Sequence, residues 1–502
     1  MKGMIAVDIG TSSSRAVVFS LDLQEQAQAN RTYDLSCPEV GAAEQDPEII
    51  VEAVMDVAAE ALSKSGLQGR DIVFISFSAN QHNLIALDAD KRPLTQLWTW
   101  ADLRPSEAAA RLRQHASPYQ RTGCPIHPMY WPAKIKHFLD HLPQICKETA
   151  HIVCIKEYVL FRLNGQLVVD ASVAAGTGLL DIQRLDWDQP LIEHLGMDPS
   201  WLSPVVEPTH ILHGLRPEHA ARMGLPQDIP LVVGGSDGTL SSLGAGAVEP
   251  GVMALMIGTS AAVREVVNEP RLHPQEQTWC YYLGQQRWVS GGATSNGGNV
   301  LKWFLEEMCE GHGSFGDLDQ QAGTVAAGAD GLLFLPFLAG ERCPHWNHDA
   351  RGVYFGMNLQ TSKSHMLRAA MEGVAFQLFS IYQALIDING VPKEIRATGG
   401  LARSTVWLQI MADVFGHDLA VPMSAEGSAF GAAAVGLIAL GYEQDFSFAA
   451  KAIPVGRVVT YDAERHGLYS ELFLRNRSLY HVLSDEFHEH QRIIQANGGL
   501  RR

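Results

Sequence analysis

The chain has 502 residues, of which 46% are hydrophobic and 19% charged, and it carries a formal net charge of −17. That length exceeds what one hydrophobic core serves, so two large domains or about three smaller ones are expected. The acidic balance argues against non-specific nucleic-acid binding and requires local donors for any anionic ligand. Asp8 interrupts the first apolar run too early for a signal peptide or a spanning helix, so the expectation is a cytoplasmic protein without a membrane partner. The seven cysteines are odd in number and form no CxxC pair, which suggests reduced thiols rather than a disulfide framework or a zinc site.

Apolar patterning predicts strands over 4–8 and 15–19, a helix over 47–63, strands over 72–77 and 84–87, and a helix over 105–114. Between the first two strands, Asp8-Ile-Gly-Thr-Ser-Ser-Ser-Arg15 sets a carboxylate, a glycine turn, hydroxyls and a guanidinium side by side. This set suits a metal-bound polyphosphate. Gly10 permits close backbone approach, Thr11, Ser12 and Ser13 offer donors, and Asp8 can hold Mg²⁺ directly or through water. A Ser/Thr-rich hairpin with Asp8 as a turn former would use the same residues. Further on, the apolar run from Pro230 leads into Ser236-Asp237-Gly238 at an expected helix start, where Asp237 is either an N-cap or a carboxylate aimed into a cleft.

Ala6-Val-Asp-Ile-Gly-Thr-Ser12 returns about half a chain later as Ala254-Leu-Met-Ile-Gly-Thr-Ser260, with Met256 in place of the aspartate. The echo predicts two homologous α/β domains, 1–246 and 247–502, with turn chemistry at 246–251 marking the junction. In the second half, Leu367, Met371, Val374, Leu378, Ile381, Leu385 and Ile388 form one apolar stripe of a long core helix. Gly399-Gly400 lies between a short strand and a helix over 406–415, a setting that fits either nucleotide contact or a plain βα turn. The stretch from Glu426 to Ala433 reads as helix packing behind that turn, and its Ala/Gly content predicts close backbone contact.

Together these motifs resemble the FGGY carbohydrate kinases over nearly the whole chain. The resemblance rests on the segment opening at Asp8, on Asn80-Gln-His-Asn83, on Trp98-Thr-Trp-Ala-Asp-Leu-Arg104 and on Gly234-Gly-Ser-Asp-Gly238. Segments 122–129, 170–178, 291–298 and 340–346 are most similar to the gluconokinases of this fold. The resemblance implies two ribonuclease-H-like domains of the actin/hexokinase type around a cleft, with ATP mainly on the second and sugar mainly on the first. It implies ATP and Mg²⁺ as cofactors and gluconate as the acceptor, with a pentose or polyol kinase such as xylulokinase as the alternative. A nucleotide-dependent sensor of the actin superfamily would keep the phosphate loops but need no base.

By the same resemblance, Asp237 is the catalytic base and Asp8 the metal carboxylate. Thr11, Ser12, Ser13, Arg15, Thr259, Gly298, Lys302, Gly400 and Ser404 take nucleotide roles, and His82, Asn83, Asp102 and Met129 substrate roles. His82, His127 and Arg104 are the candidates for meeting a substrate carboxylate. Asp102 and Arg104 either line the pocket or pair with each other. Gln81 stands where the resemblance leads one to expect a methionine, which implies an altered sugar pocket. A small-molecule acceptor, ATP/ADP and, as an open option, a second copy of the chain are the expected partners.

Overall fold

The computed structural model describes residues 2–114, 117–423 and 427–496. Two mixed sheets are built to one plan. The first contains β1 (Gly3–Ile9), β2 (Ser13–Ser20), β3 (Glu25–Thr32), β4 (Ile72–Ala79), β5 (Ile211–His213) and β6 (Pro230–Ser236) in the order β5-β6-β4-β1-β2-β3. The second contains β7 (Val252–Ile257), β8 (Ala261–Val267), β9 (Trp279–Gly284), β10 (Arg287–Thr294), β11 (Glu394–Gly399), β12 (Leu419–Pro422) and β13 (Val455–Val459) in the order β9-β10-β8-β7-β11-β12-β13. In each, the strand bearing the Gly-Thr-Ser motif pairs antiparallel with its successor and parallel with a later strand on its other side. The sequence echo is thus a repeat of topology.

Helix α1 (Pro47–Ser65) starts where Asp46 accepts from the Glu48 N–H and proline stands at the first turn, and it stops at left-handed Gly66. A second helix, α2 (Asp237–Gly244), runs straight out of β6. The apolar stripe of the second half lies on α3 (Lys363–Asn389), with Leu367 through Leu385 buried. This helix is long and apolar enough to cross a membrane, yet 78% of that window is buried inside the fold, which marks it as a core helix. Residues 84–87 supply only the short strand Ile85–Leu87, which pairs with His151–Val153 outside the main sheets.

The Ala/Gly-rich helix α4 (Gly427–Ala439) departs from the expected place. It lies on β1, β4 and β6 of the first sheet and along α2, not behind Gly399-Gly400. Missing side chains make the contact close: a Cβ on Gly431 would fall 2.3 Å from the Leu240 carbonyl oxygen, and one on Gly436 2.0 Å from the Phe74 ring. Glu426, which precedes it, lies outside the described residues. In return α2 leans on β8 and β9 of the second sheet, so a single apolar core runs through residues of both halves. All seven cysteines are free.

Candidate active site

A cleft of about 440 Å³ opens between the two sheets. Thr11, Ser12, Asn80, Gln81, His82, Trp100, Met129 and Asp237 line it from the first half of the chain, and Thr259, Ser260, Arg264, Trp279, Tyr281, Arg342 and Trp346 from the second. The ends of β1, β4 and β6, three neighbouring strands, deliver the first Gly-Thr-Ser loop, the Asn80–His82 turn and Asp237 to one place.

Asp237 is the first residue of α2 and follows the N-cap Ser236. The strand before it carries a bulge: its register with β4 shifts between Val232 and Gly235. Gly234 there has φ of 73°, and a Cβ would fall 1.7 Å from the Phe77 carbonyl oxygen. Hydroxyls of Ser172, Ser236 and Thr239 bond one another at 2.8–3.2 Å, and the buried Lys156 ammonium spans Asp170, at 2.6 Å, and the Gly235 carbonyl, at 3.0 Å. The backbone that carries Asp237 is therefore fixed from behind. Burial, and then the charge of Asp8, push the Asp237 pKa up to about 7, with Arg264 and Arg342 pulling the other way.

The two Gly-Thr-Ser loops differ in their support. In the first, the Thr11 carbonyl accepts from Gln45 Nε2 at 2.7 Å and its hydroxyl from the Trp100 indole at 3.0 Å, while Ser13 pairs with Thr32 and Arg15 sits opposite Asp8 in the ladder. In the second, Gly298 N–H donates to the Gly258 carbonyl at 2.8 Å and Asn299 N–H to that of Thr259 at 3.0 Å. Gly399 passes over the end of β7 so closely that a Cβ would fall 2.4 Å from the Ile257 carbonyl oxygen, which brings Gly400 to the root of that loop. Asp8 Oδ1 is buried without a hydrogen-bond partner. Among the described residues no cluster of three or more metal-ligating side chains exists, so a cation here would be held as Mg²⁺ commonly is, by one or two carboxylates together with phosphate oxygens.

His82 sits at φ 67°, and its Nδ1 meets the Gly176 carbonyl oxygen. Burial lowers its pKa to about 3, so the ring is neutral, Nδ1 carries the proton and Nε2 is left as an acceptor. Beneath it the buried Lys134 ammonium donates to the carbonyls of His82, of Thr99 at 2.6 Å and of Trp98 at 3.3 Å. Burial pulls Lys134 down to about 7, yet three acceptors match the donor count of its protonated form. Nothing in the sequence separates Lys134 from the exposed-type lysine two residues on.

Several expected residues stand outside this cavity. Asn83 is buried behind His82, its side chain spent on Asn80 at 2.8 Å and on the Ile155 N–H at 2.7 Å. Asp102 and Arg104 pair with each other at 2.5 Å, Asp102 accepting also from the Ala43 N–H at 3.2 Å and Arg104 reaching Glu44 at 2.6 Å. Lys302 is 64% exposed beside Glu306. Ser404 caps the helix Thr405–Phe415 and donates to Asp319. His127 is buried, faces Trp346 at 5.5 Å and is held neutral by desolvation.

Two guanidinium groups that the sequence reading did not single out, those of Arg264 and Arg342, line the cleft, and Arg104 does not. Arg264 on β8 is 9% exposed and bonds Ser241 Oγ at 2.7 Å, while Arg342 lies over the Trp100 ring at 5.3 Å and donates to the Thr294 carbonyl at 2.9 Å. The signal for Arg264 is that it and Glu265 are charges inside a strand of alanines and valines directly after a phosphate-type loop.

Residues 3–244 match the N-terminal domain of the FGGY family of carbohydrate kinases and residues 253–440 its C-terminal domain. The chain is 39% identical over 456 residues to the gluconokinase of Bacillus subtilis, covering 88% of each, and 30% identical over 445 residues to the xylulose kinase of the same organism, covering 88% of this chain and 89% of the other. The gluconate kinase structure from Lactobacillus acidophilus superposes with a TM-score of 0.92 at 30% identity, covering 97% of this chain and 99% of that one. The repeated ribonuclease-H-like sheets, the cleft between them and these likenesses carry one conclusion: the chain belongs to the FGGY family of carbohydrate kinases and is an ATP-dependent sugar kinase.

Proposed function

We propose that the protein transfers the γ-phosphoryl group of ATP, with Mg²⁺, to the terminal hydroxyl of D-gluconate in the cytoplasm, giving 6-phosphogluconate. The observation that carries the choice of an acid over a neutral sugar is the pair of guanidinium groups lining a cleft in which His82 is neutral. The likeness to gluconokinases supports the same choice, and the likeness to xylulose kinases keeps a pentulose as the second reading.

In this reading Asp237 takes the proton of the attacking hydroxyl. Its pKa of about 7 suits a base working near neutrality, and the residue lines the cleft. Thr11, Ser12, Ser13, Thr259 and the amides around them cradle phosphate oxygens, with Arg15, Gly298, Lys302, Gly400 and Ser404 completing the nucleotide side. Arg342, tied through Trp100 to Thr11, offers positive charge where the phosphoryl group passes. Asp8, with its unpartnered oxygen, would hold Mg²⁺, which neutralises charge on the phosphates. His82 Nε2 accepts from a sugar hydroxyl, and Met129 with the stacked Trp279 and Tyr281 rings forms the apolar wall. Asn83 and Asp102 act on the substrate by holding the turns that carry His82 and Trp100.

Coupled ADP release with ATP, Mg²⁺ and a panel of gluconate, xylulose, ribulose and glycerol tests the assignment. A kcat/KM highest for gluconate is expected. A tenfold or greater preference for xylulose or glycerol would overturn it and leave the kinase chemistry standing.

A further inference from the structure

Buried polar groups are nearly always hydrogen-bonded, and an orphan among them asks for a reason. Among the described residues, two guanidinium Nε atoms are buried without a partner, those of Arg264 and Arg342, and both residues line the cleft. Among the described residues no carboxylate lies within ion-pair distance of Arg264, although the charge of Asp237 acts on it; its one side-chain hydrogen bond goes to the neutral Ser241. A nearly buried cation with an unused donor, facing a cavity, is a binding site for an anion.

The phosphoryl group and the substrate's own carboxylate are the two anions that enter this cleft. Arg342 belongs to the phosphate side, because its guanidinium lies on Trp100, whose indole holds Thr11 of the first loop. Arg264 touches neither loop. It stands four residues beyond Ser260, the residue before β8, roughly 13 Å at the rise of a strand. There its side chain reaches Ser241, one helical turn beyond Asp237. Across the sheet, Arg264, Gly291 and Trp279 share one row. Gly291 leaves that row open for the Trp279 ring, since a Cβ would fall 2.6 Å from it. The result is a guanidinium at the edge of an aromatic floor made by Trp279 and Tyr281, whose rings stack at 4.2 Å. A six-carbon acid with its terminal hydroxyl at Asp237 can lay its chain along that floor and end on Arg264.

We propose that Arg264 is the receptor for the substrate's carboxylate and thereby the specificity-determining residue that selects an aldonic acid over a neutral sugar of equal length. This rests on the gluconate assignment and names the residue that enforces it. Burial brings the Arg264 pKa to about 10, so it stays charged at neutral pH. The sequence candidates do not compete: Arg104 is spent on Asp102 and Glu44, and His82 and His127 are neutral.

The test compares kcat/KM for D-gluconate and for D-gluconamide, its uncharged analogue of equal length, in wild type, Arg264→Gln, Arg264→Lys and Arg342→Gln. Losing one partner of a buried charge pair should lower the acid-to-amide ratio roughly 30-fold or more in Arg264→Gln. Arg264→Lys, with a point charge in place of the planar fork, should keep an intermediate ratio, and it carries the test if the glutamine variant does not fold. Arg342→Gln should depress acid and amide together. An unchanged ratio in both Arg264 variants, or an equal fall for both acceptors with a raised KM for ATP, overturns the proposal. A wild type that phosphorylates xylulose and not gluconate is a different result, the failure of the gluconate assignment itself.

Discussion

Gly238, the residue after Asp237, lies against Gln81 so closely that a Cβ on the glycine would fall 2.3 Å from Gln81 Nε2. Gly176 closes the other side, with a Cβ there falling 2.1 Å from Gln81 Oε1. The amide is thus gripped between the start of α2 and the segment that binds His82. Gly238→Ala should expel Gln81 and cut kcat/KM for the sugar about tenfold, in line with the 1–3 kcal/mol cost of overpacking, while the KM for ATP moves little. Steady-state kinetics of Gly238→Ala and of the double variant with Gln81→Ala checks this: the second change should restore part of the loss, and strictly additive losses would refute the grip.

Asp237→Asn should lower turnover by roughly 10² to 10⁴ while nucleotide binding persists. With the pKa at about 7 in the free enzyme, wild-type kcat/KM should rise with pH through neutrality and then level. Folding raises this pKa from 3.8, so the native state holds a proton that the unfolded chain gives up. Its contribution to stability is complete below the unfolded value and is lost as pH climbs through 7. Denaturant unfolding between about pH 4 and 7 should therefore show wild type losing more stability than Asp237→Asn. Turnover of the variant within tenfold of wild type would remove Asp237 from the role of base.

Asp8→Ala should raise the Mg²⁺ concentration needed for half-maximal turnover and reduce the maximum, because it removes the one unpartnered carboxylate oxygen at the phosphate loops. Superimposable Mg²⁺ titrations of variant and wild type would show that the oxygen serves something else.

Lys134→Met should cost about 3 kcal/mol, since it leaves the carbonyls of His82, Thr99 and Trp98 without their donor. Because two of these carbonyls belong to the turns bearing His82 and Trp100, the KM for sugar should rise more than kcat falls. Urea denaturation and kinetics on the same preparation separate the two effects.

What could be read from the sequence was whatever is contiguous. Asp8, Thr11, Ser12 and Asp237 fall in short motifs at strand ends, and the topology brings those ends together. The repeat of Gly-Thr-Ser gave the two-sheet plan because both copies occupy the same place in their sheets. Arg264 escaped because a strand pattern does not say which face borders a ligand, and Arg342 because it sits in a loop whose course depends on both lobes. Lys134 looks like any helical lysine until Trp98 and His82, far away in sequence, close over it. Asn83 and Asp102 fall in the motifs that flank the cleft, and their side chains hold the backbone of Ile155 and Ala43.

Helix α4 is encoded near the end of the chain, yet its partners are β1, β4 and β6, all made before it. During synthesis the first lobe therefore emerges with a bare apolar face over Phe74 and Leu240, and it stays bare until residues 427–439 leave the ribosome. Neither half produced alone would be self-sufficient: a fragment ending at 246 would lack its cover, and a fragment starting at 247 would carry an apolar helix with nothing to lie on. Co-expressed as two pieces, the halves should find each other through this helix, as complementing fragments do.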